Sequence, residues 1–304
     1  MSIKAEIIAD SVNPIGSRLT TFILEYPRFV HSEVLTHRVF SKNAASSRAI
    51  PIEKMIQQVI DNPAMPVWWG KNQSGMQAKD ELDFTTTDYE RDKDERLIGI
   101  IRGFYKESNL TAKGKAKQIW LEARDEAIKQ VKRLNGLGLH KQISNRILEP
   151  WFNIRVIFSG TEFENFYKLR AHPDAQPEFQ ALAYMMLDEH KKSTPKQLKH
   201  GEWHIPFGDK IDEDKIVEEL KVQKHEEEFE RIKQKIAVAR CARVSYHNYE
   251  GKDDYLADVK LCDRLFSSEP KHLSPTEHVA QALESDQFIG NFKGFKQYRK
   301  FIEQ

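Results

Sequence analysis

Cysteine is nearly absent. Cys241 and Cys262 are the only two in 304 residues, too few for a disulfide framework, and a reducing interior is their natural setting. No stretch approaches the roughly 18 apolar residues that cross a bilayer. The opening MSIKAEIIAD also lacks the basic-then-apolar pattern of a signal peptide. The expectation is a cytoplasmic protein with no membrane partner. Neither sign of charge is in excess: 47 Lys and Arg stand against 46 Asp and Glu, a net charge of +1. That balance argues against a nucleic-acid partner and favours small anionic ligands. No GxGxxG follows a strand, and the Walker loop and the GxSxG elbow are missing, which removes three common enzyme architectures. The eleven histidines include no HExxH and the cysteines no CxxC, so no metal is expected. His190 and His200 read as scattered surface residues.

What is present suits a packed domain. Hydrophobic residues make up 39% and charged residues 31%, enough for a core beneath a heavily charged surface. Residues 3–26 read as extended structure interrupted by a Pro-Ile-Gly-Ser turn at 14–17. Pro27 suits a helix start, with Phe29, Val30, Val34 and Leu35 facing inward. Ser41 to Ser47 is polar and small, like a binding loop, and 61–80 is irregular. A helix is expected over 112–134 from the spacing of Ile119, Trp120, Ala123, Ala127, Val131 and Leu134. A second is expected over 161–170, with Thr161 and Glu164 as a capping box. Pro177 opens another, carrying Phe179, Leu182, Met185 and Met186. Asp212 to Lys235 reads as one long charged helix, ARVSY at 242–246 as a short strand, and 270–278 as a loop. The class is α+β, helix-rich, in a single domain over 1–304.

The most informative stretch runs from Thr36 through His37 and Arg38 to Arg48. It packs two arginines, a histidine, an amide and three serines into a short span. Arginine forks and serine hydroxyls donate to anionic oxygens, so the composition fits phosphate capture. Composition alone equally fits a polar helix end with its caps.

The pattern of the segment resembles the signature of the flavin-dependent thymidylate synthases, the ThyX family: Arg-His-Arg, seven residues, Ser. His37, Arg38 and Ser46 match in register, as do Asn43 and Arg48, whereas Thr36 replaces the first arginine. Arg146-Ile-Leu-Glu-Pro150 is similar to a second family segment. Asn165 to Arg170, followed by Asp174-Ala-Gln-Pro-Glu178, is similar to a third, with Asp174 in place of the usual histidine. Ala242 to Tyr246 and His272 to His278 resemble motifs that stand near the family's N-terminus. Here they lie at the C-terminal end, so a circularly permuted member is expected. Segments 53–111 and 188–235 have no counterpart and read as insertions.

The resemblance implies a ThyX-like fold around a central antiparallel or mixed sheet. It also implies a homotetramer with shared active sites, which reductively methylates dUMP to dTMP. FAD is the implied cofactor, with NADPH and methylenetetrahydrofolate as co-substrates. Arg170 would stabilise charge developing on the pyrimidine, and Ser46 would lie nearest the reacting ring. Ser47, Arg48 and Arg146 would hold the nucleotide. His37, Arg38, Asn43 and Asn165 are carried over as flavin contacts, with Ser245, Ser274 and Glu277. His272 falls on the folate and nicotinamide side. Glu33 stands near the expected phosphate, where pairing with an arginine would relieve repulsion. Neither cysteine has the Pro-Cys-His setting of the folate-dependent synthase that uses a thiolate, and both read as small buried thiols. Thr36, Glu33 and Asp174 leave room for a relative that hydroxymethylates dUMP or dCMP. A helical nucleic-acid-binding protein and a noncatalytic scaffold are the remaining alternatives.

Overall fold

In the computed structural model the described residues are 3–82, 111–222, 226–245 and 254–303. Strand β1 (Lys4–Val12) and strand β2 (Arg18–Pro27) form an antiparallel pair joined at the 13–17 turn, where Gly16 takes a φ of 94°. Strand β4 (Asn153–Gly160) covers the other edge of β2, and β3 (Ser41–Ala44) pairs with β4. The short β5 (Lys196–Gln197) runs parallel to β1, giving the order β3-β4-β2-β1-β5. The strand at the middle of this sheet, β2, buries Thr20, Thr21, Phe22, Leu24 and Tyr26, as a strand covered on both faces must. Thus the expected mixed sheet is present.

The main core packs helices onto that sheet. Helix α1 (His31–Leu35) contributes Val34, and α2 (Ile52–Asp61) contributes Met55, Ile56 and Val59. Helix α3 (Ala112–Gly136) adds Ala127, Ile128 and Val131, and the four-residue α4 (Lys141–Ser144) follows it. Helices α5 (Glu164–Arg170) and α6 (Pro177–Lys192) bring Phe166, Phe179 and Met186. Gly160 decides one detail of this core. A Cβ there would stand 2.3 Å from the Phe40 ring, so only glycine lets Phe40 lie 4.4 Å from the Phe158 ring. Truncating the fully buried Phe158 to alanine would cost about 3–5 kcal/mol.

A second sheet, β6-β7-β10-β8-β9, is built from β6 (Trp203–His204), β7 (Ala280–Ala282), β8 (Phe288–Ile289), β9 (Phe292–Lys293) and β10 (Phe295–Gln297). Helix α7 (Glu213–Leu220) packs on both α8 (Glu226–Ser245) and α9 (Tyr255–Ser267), which pack on each other, and the terminal α10 (Arg299–Ile302) packs on the sheet. Asn13 ties the two sheets together: its Nδ2 donates to the carbonyls of Leu283 (2.9 Å) and Gly294 (3.1 Å). Gly294 is required for that approach, since a Cβ would meet Asn13 Nδ2 at 2.3 Å.

Several sequence expectations are corrected. Ser41–Ala44 is an edge strand rather than a loop; its polar side chains hid it, because their partners come from the far end of the chain. The long charged helix is two helices, α7 ending where Lys221 adopts a left-handed φ of 55°. Residues 242–245 of ARVSY close α8 instead of forming a strand, Ala242 and Val244 being buried on that helix; Tyr246 lies outside the described residues. Thr161 does not cap α5: its Oγ accepts from the Lys293 amide (3.0 Å) and so bridges the sheets. Leu35 and Ile119 are exposed, at 50% and 46%. His190 is no surface histidine, for it bonds Thr20 Oγ (3.0 Å) and the Tyr167 hydroxyl (3.0 Å). Both cysteines are buried free thiols, and burial holds Cys262 up at about 12.

Candidate active site

The site is assembled around β3. Its outer neighbour is not the adjacent chain but the C-terminal region. Asn43 Nδ2 donates to the Cys241 carbonyl (2.8 Å), which fixes α8 over the strand. Ser41 Oγ accepts from Asn291 Nδ2 (3.0 Å) and Gln297 Nε2 (2.9 Å), and the same Gln297 nitrogen donates to the Glu277 carbonyl (2.9 Å). Glu277 in turn accepts from Arg299 Nη1 (2.5 Å). These bonds clamp the 3-10 turn at Ser274–Glu277 against β3.

Between them opens a cavity of about 470 Å³, lined by Asn43, Ser46, Arg48, His140, His272 and Ser274 among others. Two stretches more than two hundred residues apart in sequence therefore share one cleft. Arg48, His272 and Ser274 are exposed there. Among the described residues no side-chain hydrogen bond or ion pair engages Ser46, Arg48, His272 or Ser274, so their donors face the cleft unspent. His140 and Gln142 also line it, a contribution that sequence reasoning missed. Their only signal was the turn before α4, where His140 Nδ1 accepts from the Gln142 amide (3.3 Å).

A second group of site residues lies beside β3 and does not line the cleft. Arg170 Nε donates to His37 Nε2 (2.8 Å), and its guanidinium carbon stands 5.0 Å above the Phe179 ring. Burial, then the nearby charges of Arg170 and Lys42, push His37 down to about 4. The imidazole is therefore neutral at pH 7, and the bond from Arg170 places its proton on Nδ1. Lys42 Nζ donates to the His37 carbonyl and is itself lowered by burial to about 8. This half-buried amine was not singled out from sequence.

The remaining predicted residues fall in two places. Ser47 is buried and its Oγ donates to Glu149 Oε1 (2.6 Å), while Arg146 Nη1 donates to the same oxygen (2.8 Å). Arg38 and Asn165 are exposed. The Ser245 side chain lies outside the described residues. Glu33 accepts from the Ser32 hydroxyl (2.9 Å), and among the described residues no arginine pairs with it. Thr36 Oγ donates to the Glu33 carbonyl (2.6 Å), and the Asp174 carboxylate is exposed, 3.7 Å from His172.

Such a site, a polar cleft with an unspent arginine at the edge of a mixed sheet in an α+β domain, suits a small anionic ligand. Comparison with known families makes this specific. The model of the thymidylate synthase complementing protein family matches residues 14–196, more than half of the chain, and the protein belongs to that family, the flavin-dependent thymidylate synthases. The match contains the segments around 36–48, 146–150 and 165–178; those at 242–245 and 272–278 lie beyond it. No curated protein matches the sequence. Among the described residues no helix is long and apolar enough to cross a membrane.

Proposed function

We propose that the protein converts dUMP to dTMP, with methylenetetrahydrofolate as one-carbon donor, NADPH as reductant and FAD as cofactor. One observation carries the reading. The 43–48 segment and the 272–274 segment, each resembling a family motif, line one cleft although the chain carries them in rotated order. That meeting also supports a circularly permuted arrangement, because the C-terminal motifs lie where the β3 segment needs them. We read 1–304 as one such domain, with 53–111 and 188–235 as additions to it.

The residues present fit a flavin. Asn43, Ser274 and His272 offer polar contacts along the cleft, and Glu277, held by Arg299, supports the turn that carries them. The exposed Arg38 makes no bond among the described residues and suits a phosphate; His37 and Asn165 complete the assignment with Ser245. When bound, the flavin supplies the hydride that turns the transferred one-carbon unit into a methyl group. The protein's own task is to hold and polarise. Ser46 and Arg48 would hold dUMP at the cleft, with Ser47 and Arg146 toward its phosphate. Arg170 would meet negative charge developing on the pyrimidine. Its Nε is spent on His37, but its other N–H groups make no hydrogen bond among the described residues. The neutral His37 thus orients the guanidinium without competing for its charge. A homotetramer sharing sites would complete the pocket around Arg170, and the exposed Leu35, Val39 and Leu169 give such contacts apolar surface.

The test is direct. Purified protein should carry FAD and, with oxygen excluded, turn over NADPH only when dUMP and methylenetetrahydrofolate are both present. Protein that neither binds FAD nor consumes NADPH under those conditions refutes the reading.

A further inference from the structure

Glu149 occupies the two donors that the proposed function assigns to the nucleotide phosphate. Ser47 Oγ and Arg146 Nη1 both donate to one oxygen, Glu149 Oε1, at 2.6 and 2.8 Å. A hydroxyl has one hydrogen to give, so Ser47 cannot donate to an arriving oxyanion while Glu149 holds it. Arg146 keeps other N–H groups, yet an anion reaching them meets the carboxylate at close range.

Glu149 is not needed to fix these segments. It lies on the 3-10 turn Asn145–Trp151, and that turn is already anchored by Asn145, whose Nδ2 donates to the carbonyls of Ser47 (2.8 Å) and Ile50 (2.9 Å). The backbone register of 47–50 against the turn therefore rests on a buried amide. The Glu149 contacts are side chain to side chain at a half-open position, its own side chain 21% and that of Arg146 50% exposed. A carboxylate so placed mimics the ligand that the same donors would take.

We infer that Glu149 is a specificity-determining residue, an internal competitor that the phosphate of the nucleotide must displace. An oxyanion binding through its charge alone, such as inorganic phosphate, cannot displace it. A nucleoside monophosphate, which also gains contacts through its base and sugar, can. The carboxylate thereby makes occupancy depend on the whole nucleotide and eases departure of the product monophosphate. The inference rests on the reading of Ser47 and Arg146 as nucleotide-holding residues.

The experiment titrates dUMP, 2′-deoxyuridine and inorganic phosphate calorimetrically into the full chain and into Glu149→Gln, with circular dichroism to verify that both are folded. Glutamine keeps an oxygen that accepts from Ser47 and Arg146 but removes the charge. The expected result is dUMP bound about tenfold tighter by the variant, measurable binding of inorganic phosphate, and deoxyuridine affinity unchanged. Equal or weaker dUMP binding by the variant overturns the inference, as does an equal gain for deoxyuridine, which has no phosphate. If folded wild type and variant both fail to bind dUMP, the nucleotide reading of the site falls instead, and the inference falls with it.

Discussion

Two polar regions of this molecule look alike in composition and behave in opposite ways. Between the sheets runs a buried chain of hydrogen bonds. Ser11 Oγ meets His204 Nδ1 (3.0 Å), His204 Nε2 meets Thr21 Oγ (2.8 Å), Thr21 meets Ser159 Oγ (2.7 Å), and Ser159 meets His278 Nδ1 (2.8 Å). At the cleft, Ser46, His272 and Ser274 are the same kinds of residue, and with Arg48 they make no side-chain hydrogen bond among the described residues. The first set spends its polarity on holding two sheets together, and the second keeps it for a ligand. Histidine and serine by themselves say nothing about function; what distinguishes the regions is who satisfies them.

This contrast can be broken by substitution. The largest effect is expected at the cleft's neighbour: Arg170→Ala should lower kcat by about 10²–10³ without lowering the melting temperature by more than a few degrees, and near-normal turnover would remove Arg170 from the chemistry. Arg48→Ala should weaken dUMP binding by about 10- to 100-fold, the loss of a charge-assisted hydrogen bond, again with little change in stability. Calorimetric titration with dUMP checks it.

In the buried chain the pattern reverses. Ser159→Ala leaves Thr21 and His278 without their shared partner and should cost about 1–3 kcal/mol of stability, read as a shifted urea midpoint, while dUMP affinity is kept. The same region also carries a pH slope. Burial holds both His204 and His278 at about 3, against an ordinary 6.5. Between those values the unfolded chain binds protons that the native histidines refuse, so stability is full above about pH 6.5 and falls with acid towards pH 3. Each contributes up to about 1.4 kcal/mol per pH unit, so urea unfolding at pH 7 and pH 5 should differ, and a flat profile would contradict the burial of these rings.

Part of this could be read from sequence and part could not. Pro177 at a helix start followed by Phe179 and Leu182 is a local signal, and α6 begins there. The extended 3–26 segment was legible for the same reason: its β-branched and aromatic residues sit next to their turn. Strand β3 was not, since Ser41 and Asn43 find their partners at Gln297 and Cys241, 256 and 198 residues away. The family motifs placed Asn43, Ser46, Arg48, His272 and Ser274 in one site by resemblance, ahead of any contact. Glu149 stood inside a quoted motif three residues from Arg146, the spacing of a helical ion pair, so its signal, like that of His140 and Gln142, was local.

The central claim, that this cleft makes thymidylate, is tested most directly by the mass of the product. Protein incubated with dUMP, FAD, NADPH and methylenetetrahydrofolate should yield a nucleotide heavier than dUMP by one CH₂, absent with Arg170→Ala. A hydroxymethylated nucleotide, or unchanged dUMP in the presence of bound FAD, would contradict it.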